Sequence, residues 1–513
     1  MIRISVLLVL FVVGRANAQT GSWFDRDRVV VVYAEALTFI APRIIDPVPV
    51  PKLTIWGLQA LSALDPSLRV VVKETRIQLL QHGEVMLDVS APKDEAPISW
   101  ATAAATLTGA GFAASAPMRR AGTQGLIEGF FNEMLGRLDP YSRYVPPNEA
   151  GEDRARRAGR AGLGITVGLH GALIEVRSVV RDSPASIAGL RPGDILVAID
   201  GQKTRDQDPG TIGALLSGPE GSPVTLSWRG RDGRAREGQL TRALVPPETV
   251  FSTRFADMLI LRVTSFSNST ASHIALSVQD ALAEPRPVVG IVLDLRGNRG
   301  GLLRQAVTAA DTFLPAGRVA TTVGRDPDAM NVWRSSEGEL AENVPLVVLV
   351  DGHSASAAEI LAAALADRGR AVIVGSSTVG KGMVQTIDPL PDGGELFVTW
   401  SQTLAPLGWP LQGLGILPQV CTSHGQEALS RQLASLSSGF QPMNEAIRRE
   451  RAARVPVSAS EVLQIRAACP AAEGRSADLE AARFLIVNPA AYAAALLSPM
   501  ADRQDVRIDR DRD

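Results

Sequence analysis

Residues 258–374 alternate strand-length apolar runs with helix-length amphipathic segments. This alternation restricts the fold more than any other feature of the 513-residue chain. The runs at 258–264, 288–295, 345–350 and 371–374 read as strands, and 270–282, 302–313 and 357–366 read as helices. Such repetition predicts an α/β layer around a largely parallel sheet. In that architecture ligands gather beyond the carboxyl ends of the strands.

The flanking regions have other textures. Residues 162–244 hold short strands at 163–167, 172–180, 193–199 and 224–228, short helices after 184 and at 211–216, and turn signals such as Asp200-Gly201. Residues 19–157 read as mostly helical, with 104–138 rich in Ala, Leu, Met and Phe and closed by Leu138-Asp139-Pro140. The charged run 152–160 reads as a solvated connector, and 421–513 as a helical extension with a charged tail. The expected divisions are therefore 1–18, 19–157, 158–245, 246–420 and 421–513. The expected fold is an α/β core of mixed or parallel sheet with flanking helices, a small β-rich domain and a mostly helical N-terminal region.

Arg3, the apolar stretch 4–13 and Ala16-Asn17-Ala18 form the three parts of a signal peptide, with Gln19 as the mature start. No later segment is apolar for long enough to cross a bilayer. An exported product in a bacterial periplasm is expected. The net charge is −2, with both signs mixed, which argues against nucleic-acid or anionic-membrane partners. Cys421 and Cys469 are the only cysteines, and in an exported chain they read as a disulfide rather than as two buried thiols. Their spacing, with only five histidines, fits no zinc site, so no metal is expected.

Two loops carry chemistry. Asp351-Gly352-His353-Ser354-Ala355-Ser356-Ala357-Ala358-Glu359 follows a buried strand and opens a helix. A serine there sits beside free N–H groups and the positive end of a helix dipole, where an oxyanion would be stabilised. Ser356-x-x-Glu359 also fits a capping box, which needs no catalysis. One strand later stands Gly375-Ser376-Ser377-Thr378-Val379-Gly380-Lys381-Gly382. It nearly matches a phosphate-binding loop, but position 382 lacks the metal-binding hydroxyl and 383–387 alternate like a strand. Glycines on both sides let a tight loop deliver Lys381 into a buried site, where a neutral amine can activate a serine without histidine.

Taken in order, these segments resemble the carboxyl-terminal processing peptidases, also called tail-specific proteases. Further matches are Leu138-Asp139-Pro140-Tyr141-Ser142-Arg143-Tyr144, the strand ending at Phe266, Asp294-Leu295-Arg296-Gly297-Asn298-Arg299-Gly300-Gly301 and Gln412-Gly413-Leu414-Gly415-Ile416-Leu417-Pro418. The resemblance spans about residues 125–420. It implies Ser356 as nucleophile, Lys381 as general base and then acid, and Gln385 as the residue orienting the amine. It implies an oxyanion hole among the amides of Gly300, Gly301 and Ala357. His353 stands where the family often has glycine, and Ala358 replaces a common serine; neither removes a catalytic group.

Residues 158–245 resemble a PDZ domain, most specifically in Ser183-Pro184-Ala185 through Gly193-Asp194. That likeness places a carboxylate-binding loop at Gly162-Leu163-Gly164-Ile165, with the bound peptide added as a strand. The function implied is a serine endopeptidase that cuts exported proteins near their C-termini and needs no metal or organic cofactor. Its partners would be proteins or peptides with free C-termini, with a homo-oligomer or an adaptor left open. Two rivals are a catalytically silent peptide-binding scaffold and a nucleotide-binding protein using the 375–381 loop.

Overall fold

A computed structural model describes residues 23–336 and 338–498. The signal segment expected at 1–18 and the tail beyond 498 lie outside them. Two compact units are present, the first built from residues up to 41, 47–144 and 389–392, the second from the remainder. Among the described residues no helix is long and apolar enough to cross a membrane.

The first unit is the expected helical region. Its helices include Val50–Leu58, Pro97–Ala114 and Ala116–Leu135. The Ala-, Leu-, Met- and Phe-rich stretch 104–138 is interrupted twice, at Ser115, which is extended (φ −109°, ψ 124°) and accepts a cap bond from the Met118 amide at 3.2 Å, and at the kink of Gly122 (φ 67°, ψ 177°). Pro117 then fits the first turn of the second helix, where its missing N–H costs nothing. Tyr33 stacks on Phe130 with centroids 3.8 Å apart, and a Cβ on Gly57 would lie 2.4 Å from that ring. A three-stranded antiparallel meander, Leu68–Lys73, Arg76–Gln81 and Glu84–Ser90, is an addition to the expected helices. Asp139 accepts bonds from the Tyr141 and Ser142 amides at 2.8 and 2.9 Å. The Leu-Asp-Pro-x-Ser-x-Tyr segment is thus a side-chain-closed turn.

The second unit opens with helix Pro147–Ala158, so the run expected as a solvated connector is instead structured. Its charges pair along the helix, Glu152 with Arg156 and Asp153 with Arg157. Arg154 and Arg157 also reach Glu395 at 3.1 and 2.6 Å. The β-rich domain follows. Its main sheet runs Ala235–Thr241, Pro223–Arg229, Ile195–Ile199, Leu173–Val179 and Ile165–His170, so the last of these is an edge. Helix Pro209–Leu216 starts at Asp208, whose carboxylate accepts the Thr211 amide at 2.9 Å.

The core sheet has the order Val250–Phe255, Met258–Val263, Gly290–Asp294, Leu346–Val350, Ala371–Gly375 and Val420–Cys421. The first pair is antiparallel and the rest are parallel. Side chains separate by strand periodicity. Ile291, Leu293, Val348, Val350 and Ile373 pack with helix Ala357–Asp367 on one face. Val292, Val347, Leu349, Val372 and Val374 pack with Leu429, Leu436, Ala481, Leu485 and Ile486 of the C-terminal extension on the other. Both faces are covered, which is why these strands are apolar without a break. Every residue of helix Ala357–Asp367 is buried. A second sheet, containing Gly317–Gly324, Glu395–Leu404 and Met383–Pro389, completes the unit.

Candidate active site

Three loops leave the carboxyl ends of Gly290–Asp294, Leu346–Val350 and Ala371–Gly375, and they carry Gly300, Ser356 and Lys381 respectively. Each is fixed to the next by bonds from side chains and backbone to backbone groups. Asp351 Oδ1 accepts from the Gly297 amide at 2.9 Å and from the His353 and Ser354 amides at 3.0 Å. Ser354 Oγ donates to the Leu295 carbonyl at 2.9 Å, and the Ala355 amide donates to the Asn298 carbonyl at the same distance. The Val379 amide bonds the Ser354 carbonyl at 3.0 Å, which draws in the third loop.

Ser356 opens the buried helix with φ 58° and ψ −116°. A residue with a Cβ pays roughly 1–3 kcal/mol for such a conformation. Gly300 fits directly against this turn. A Cβ on Gly300 would stand 2.8 Å from Ser356 Cβ and 3.0 Å from the Ala357 nitrogen, so only glycine allows the approach. The Gly300 N–H is engaged, donating to Asn298 Oδ1 at 2.8 Å. The Gly301 N–H donates to no other described residue. Ala357 is the first residue of the helix, where the backbone N–H has no intrahelical acceptor.

Glu359 is the residue whose part the motif did not disclose. It is fully buried. Its Oε2 accepts from the Ser356 amide at 2.6 Å and from the Lys381 amide at 2.9 Å. Its Oε1 accepts from the Gly380 amide at 2.6 Å and from the Thr378 hydroxyl. One carboxylate therefore ties the Ser356 turn to the Lys381 loop. Burial pushes this carboxyl above its ordinary range, while its four donors pull it back. Glu359 makes its half of the capping box by accepting the Ser356 amide, and the same side chain serves a second purpose that a local pattern cannot show.

Lys381 lies between two glycines that press on the 411–415 turn. A Cβ on Gly380 would meet the Gly413 carbonyl carbon at 2.9 Å, and one on Gly382 would meet the Gln412 nitrogen at 2.3 Å. The Gly382 amide donates to Gln412 Oε1 at 2.9 Å, which gives the Gln-Gly-x-Gly segment a supporting role. Strand Met383–Pro389 follows at once. A phosphate loop would need a helix there. Gln385 stands on this strand, its amide nitrogen 3.2 Å from both the Met383 carbonyl and Thr399 Oγ1. Cys421 and Cys469 are joined with an S–S distance of 2.03 Å.

The Gly162–Ile165 segment lies elsewhere in the unit. It lines a groove of about 550 Å³ between edge strand Ile165–His170 and helix Pro209–Leu216, and neither Ser356, Lys381 nor Gln385 lines it. Leu163 and Gly164 direct their carbonyls to Ala185 and Val180 at 3.0 and 2.7 Å, while their N–H groups donate to no other described residue. Arg156 and Arg160 flank the same groove.

An α/β core joined in one unit to a small β-rich domain with a groove at its edge strand is an architecture that a peptidase with an accessory β domain can have. Residues 257–422 match the profile of Peptidase family S41, and 175–230 match that of the PDZ domain. A carboxy-terminal-processing protease from Bartonella bacilliformis is 37% identical over 302 residues, covering 58% of this chain and 69% of that protein. Carboxy-terminal processing protease CtpA of Bacillus subtilis is 33% identical over 299 residues, covering 58% of this chain and 63% of that protein. A solved photosystem II D1 C-terminal processing protease is 26% identical, covers 71% of this chain and 92% of its own, and superposes with a TM-score of 0.34. The chain belongs to the carboxy-terminal processing proteases of peptidase family S41, a family of serine-type peptidases.

Proposed function

We propose that this protein is an endopeptidase that cuts exported proteins near their C-termini through Ser356 and Lys381. Ser356 Oγ attacks the scissile carbonyl carbon and its proton passes to the Lys381 amine. The oxyanion so formed is held by the Gly301 and Ala357 amides, since the Gly300 amide is already engaged by Asn298. Collapse expels the amine product, which takes the proton from Lys381. A water then attacks the acyl-enzyme with Lys381 again as base, and Ser356 is restored. Gln385 orients the amine.

The observation that carries this reading is the shared grip of Glu359 Oε2 on the Ser356 and Lys381 amides, at 2.6 and 2.9 Å. It supports a site in which the two backbones are held beside each other, with Gly300 packed on the serine. The 162–165 groove supports recognition of C-termini: the N–H groups of Leu163 and Gly164 receive the terminal carboxylate, and the peptide extends the edge strand. The domain order follows as helical region, PDZ domain within 158–245, protease core within 246–420 and C-terminal extension. The signal segment directs the chain out of the cytoplasm to the periplasm.

The test is covalent. A serine-directed fluorophosphonate should label the wild type and not Ser356→Ala, and Lys381→Ala should lose cleavage of a partly unfolded substrate mapped by mass spectrometry. No labelling under any condition, with peptide binding retained, would mean a silent peptide-binding scaffold instead.

A further inference from the structure

Residues 469–478, inside the extension that matched no motif, touch all three loops of the candidate site. On the Ser356 loop, the Gly352 amide donates to the Ala472 carbonyl at 2.7 Å, and the Gly474 amide donates to Asp351 Oδ2 at 3.2 Å. The fit is close, since a Cβ on Gly352 would lie 3.2 Å from both the nitrogen and the oxygen of Ala472. On the Lys381 loop, Ser376 Oγ donates to the Ala472 carbonyl at 2.8 Å and accepts from the Ala472 amide at 3.0 Å. Ser377 Oγ donates to the Cys469 carbonyl at 2.5 Å. On the loop that leads to Gly300, the Arg296 guanidinium donates to the Arg475 carbonyl at 2.7 Å and to Asp478 Oδ2 at 3.1 Å.

The strap is itself anchored at both ends. Asp478 lies in the first turn of helix Ser476–Val487 and its Oδ1 accepts from Thr422 Oγ1 at 2.6 Å. Cys469 is bonded to Cys421, which ends the last strand of the core sheet, in register with Gly375. Both cysteines are fully buried. Closing 48 residues of chain in this way restricts the unfolded ensemble. Its placement does something more local: it fixes the start of the strap beside the strand from which the Lys381 loop departs.

We infer that residues 469–478 are a positioning strap for catalysis and that the Cys421–Cys469 disulfide sets it, so the rate of the chemical step depends on this bond while recognition of the peptide terminus does not. This rests on the Ser356/Lys381 reading above. None of the strap's residues touches substrate in the proposal; they act through the loops that do. Displacing such loops by an ångström is enough to slow chemistry by about a hundredfold.

The experiment compares the full mature chain with two variants. One is Cys421→Ala with Cys469→Ala. The other is Ser376→Ala with Ser377→Ala, which keeps the disulfide and removes the strap's side-chain bonds to the Lys381 loop. Measured are kcat and KM on a fluorogenic peptide, the rate at which fluorophosphonate labels Ser356, C-terminal peptide binding to the 162–165 groove, and the thermal midpoint. The expected result in both variants is a fall of about tenfold or more in kcat and in labelling rate, with KM and groove affinity within twofold. These readings are taken well below the variant's own midpoint, so that lost folding does not enter them. Rates within twofold of wild type in either variant would overturn the strap. So would a loss of kcat that vanishes once rates are corrected for the folded fraction. If the wild type itself is not labelled at Ser356, the catalytic reading fails, and that result is distinct from a failure of the strap.

Discussion

The two candidate sites of the larger unit are built in opposite ways. Around Ser356, backbone groups of three loops are taken up by the buried side chains of Asp351, Ser354 and Glu359, while Ser376 and Ser377 bind backbone carbonyls of residues 469–478. Around Gly164, the Leu163 and Gly164 amides donate to no other described residue, and Ile165, Thr166 and Val167 of the edge strand line an open groove. Attack on a carbonyl needs geometry set before the substrate arrives. Recognition of a main chain needs hydrogen-bonding capacity left unspent. The difference teaches where each region is vulnerable: the first to loss of a single acceptor, the second to occupation of its space.

Loss of the Glu359 carboxylate should have the largest effect. Glu359→Ala strips the acceptor from the amides of Ser356, Gly380 and Lys381, and each buried orphan costs roughly 1–3 kcal/mol. The expected outcome is loss of detectable peptide cleavage and a thermal midpoint many degrees lower, with groove binding kept in the folded fraction. The same carboxyl gives a pH signature. Burial raises it above its ordinary value of 4.5, so the folded chain holds that proton more tightly than the unfolded chain. Its contribution to stability is full below the ordinary value and declines as pH rises through the window up to the folded value. Glu359→Gln has no proton to lose and should flatten that decline, which a series of midpoints against pH would reveal.

Gly300→Ala comes next. Its φ is 98°, and the new methyl would stand 2.8 Å from Ser356 Cβ. The Ser356 turn must shift, and cleavage should fall by about a hundredfold with little change in groove affinity. Retention of more than a tenth of the wild-type kcat would mean the turn can give way, and the contrast between the two regions would weaken.

The groove should respond to bulk instead. Pro209, Gly213 and Leu216 share one face of its helix, and Gly213 has no heavy atom within 4 Å of where a Cβ would stand. The space opposite Ile165 and Val167 is therefore available to a large apolar side chain of the bound terminus. Gly213→Leu improves helix propensity, so folding is not at risk. Peptides ending in Leu or Phe should bind about tenfold more weakly, close to 1.4 kcal/mol, and peptides ending in Ala should be little affected. Fluorescence anisotropy with paired peptides checks this, and equal losses for both would show that Gly213 does not select by size.

What the sequence made legible follows the same division. Periodicity located the core strands and the helix at 357, because burial on two faces writes itself into apolar runs. Ser356 and Lys381 stood out through their small neighbours, which permit close approach. Three things left no such trace. The second use of Glu359 hides behind an ordinary cap pattern. The positive φ of Ser356 has no compositional mark, since a serine there looks like any other. The strap works chiefly through backbone groups of Ala472 and Gly474, and backbone bonds carry no side-chain signature. The meander at 68–90 sits in a first unit otherwise rich in helix, and its polar outer face blurred the alternation.

The smallest effects should come from the ion pairs that join the β-rich domain and its entry helix to the protease core, and the two pairs differ in depth. Arg157 is 23% exposed and meets Glu395, 4% exposed, at 2.6 Å, with its guanidinium 5.2 Å from the Phe397 ring. Arg181 and Asp280 meet at 2.8 Å but are 49% and 60% exposed. Solvent and salt screen the second pair, so Arg181→Ala should cost no more than about 0.5 kcal/mol. Arg157→Ala removes packing as well as charge and leaves a buried carboxylate to Arg154 alone, which should cost roughly 1–3 kcal/mol. Denaturant midpoints at low and high salt separate the two: the Arg181 effect should vanish in high salt and the Arg157 effect should persist. Equal sensitivity to salt would mean that the entry helix is held no more firmly than the far side of the domain. The firm attachment would then belong to the Ser356 loops alone.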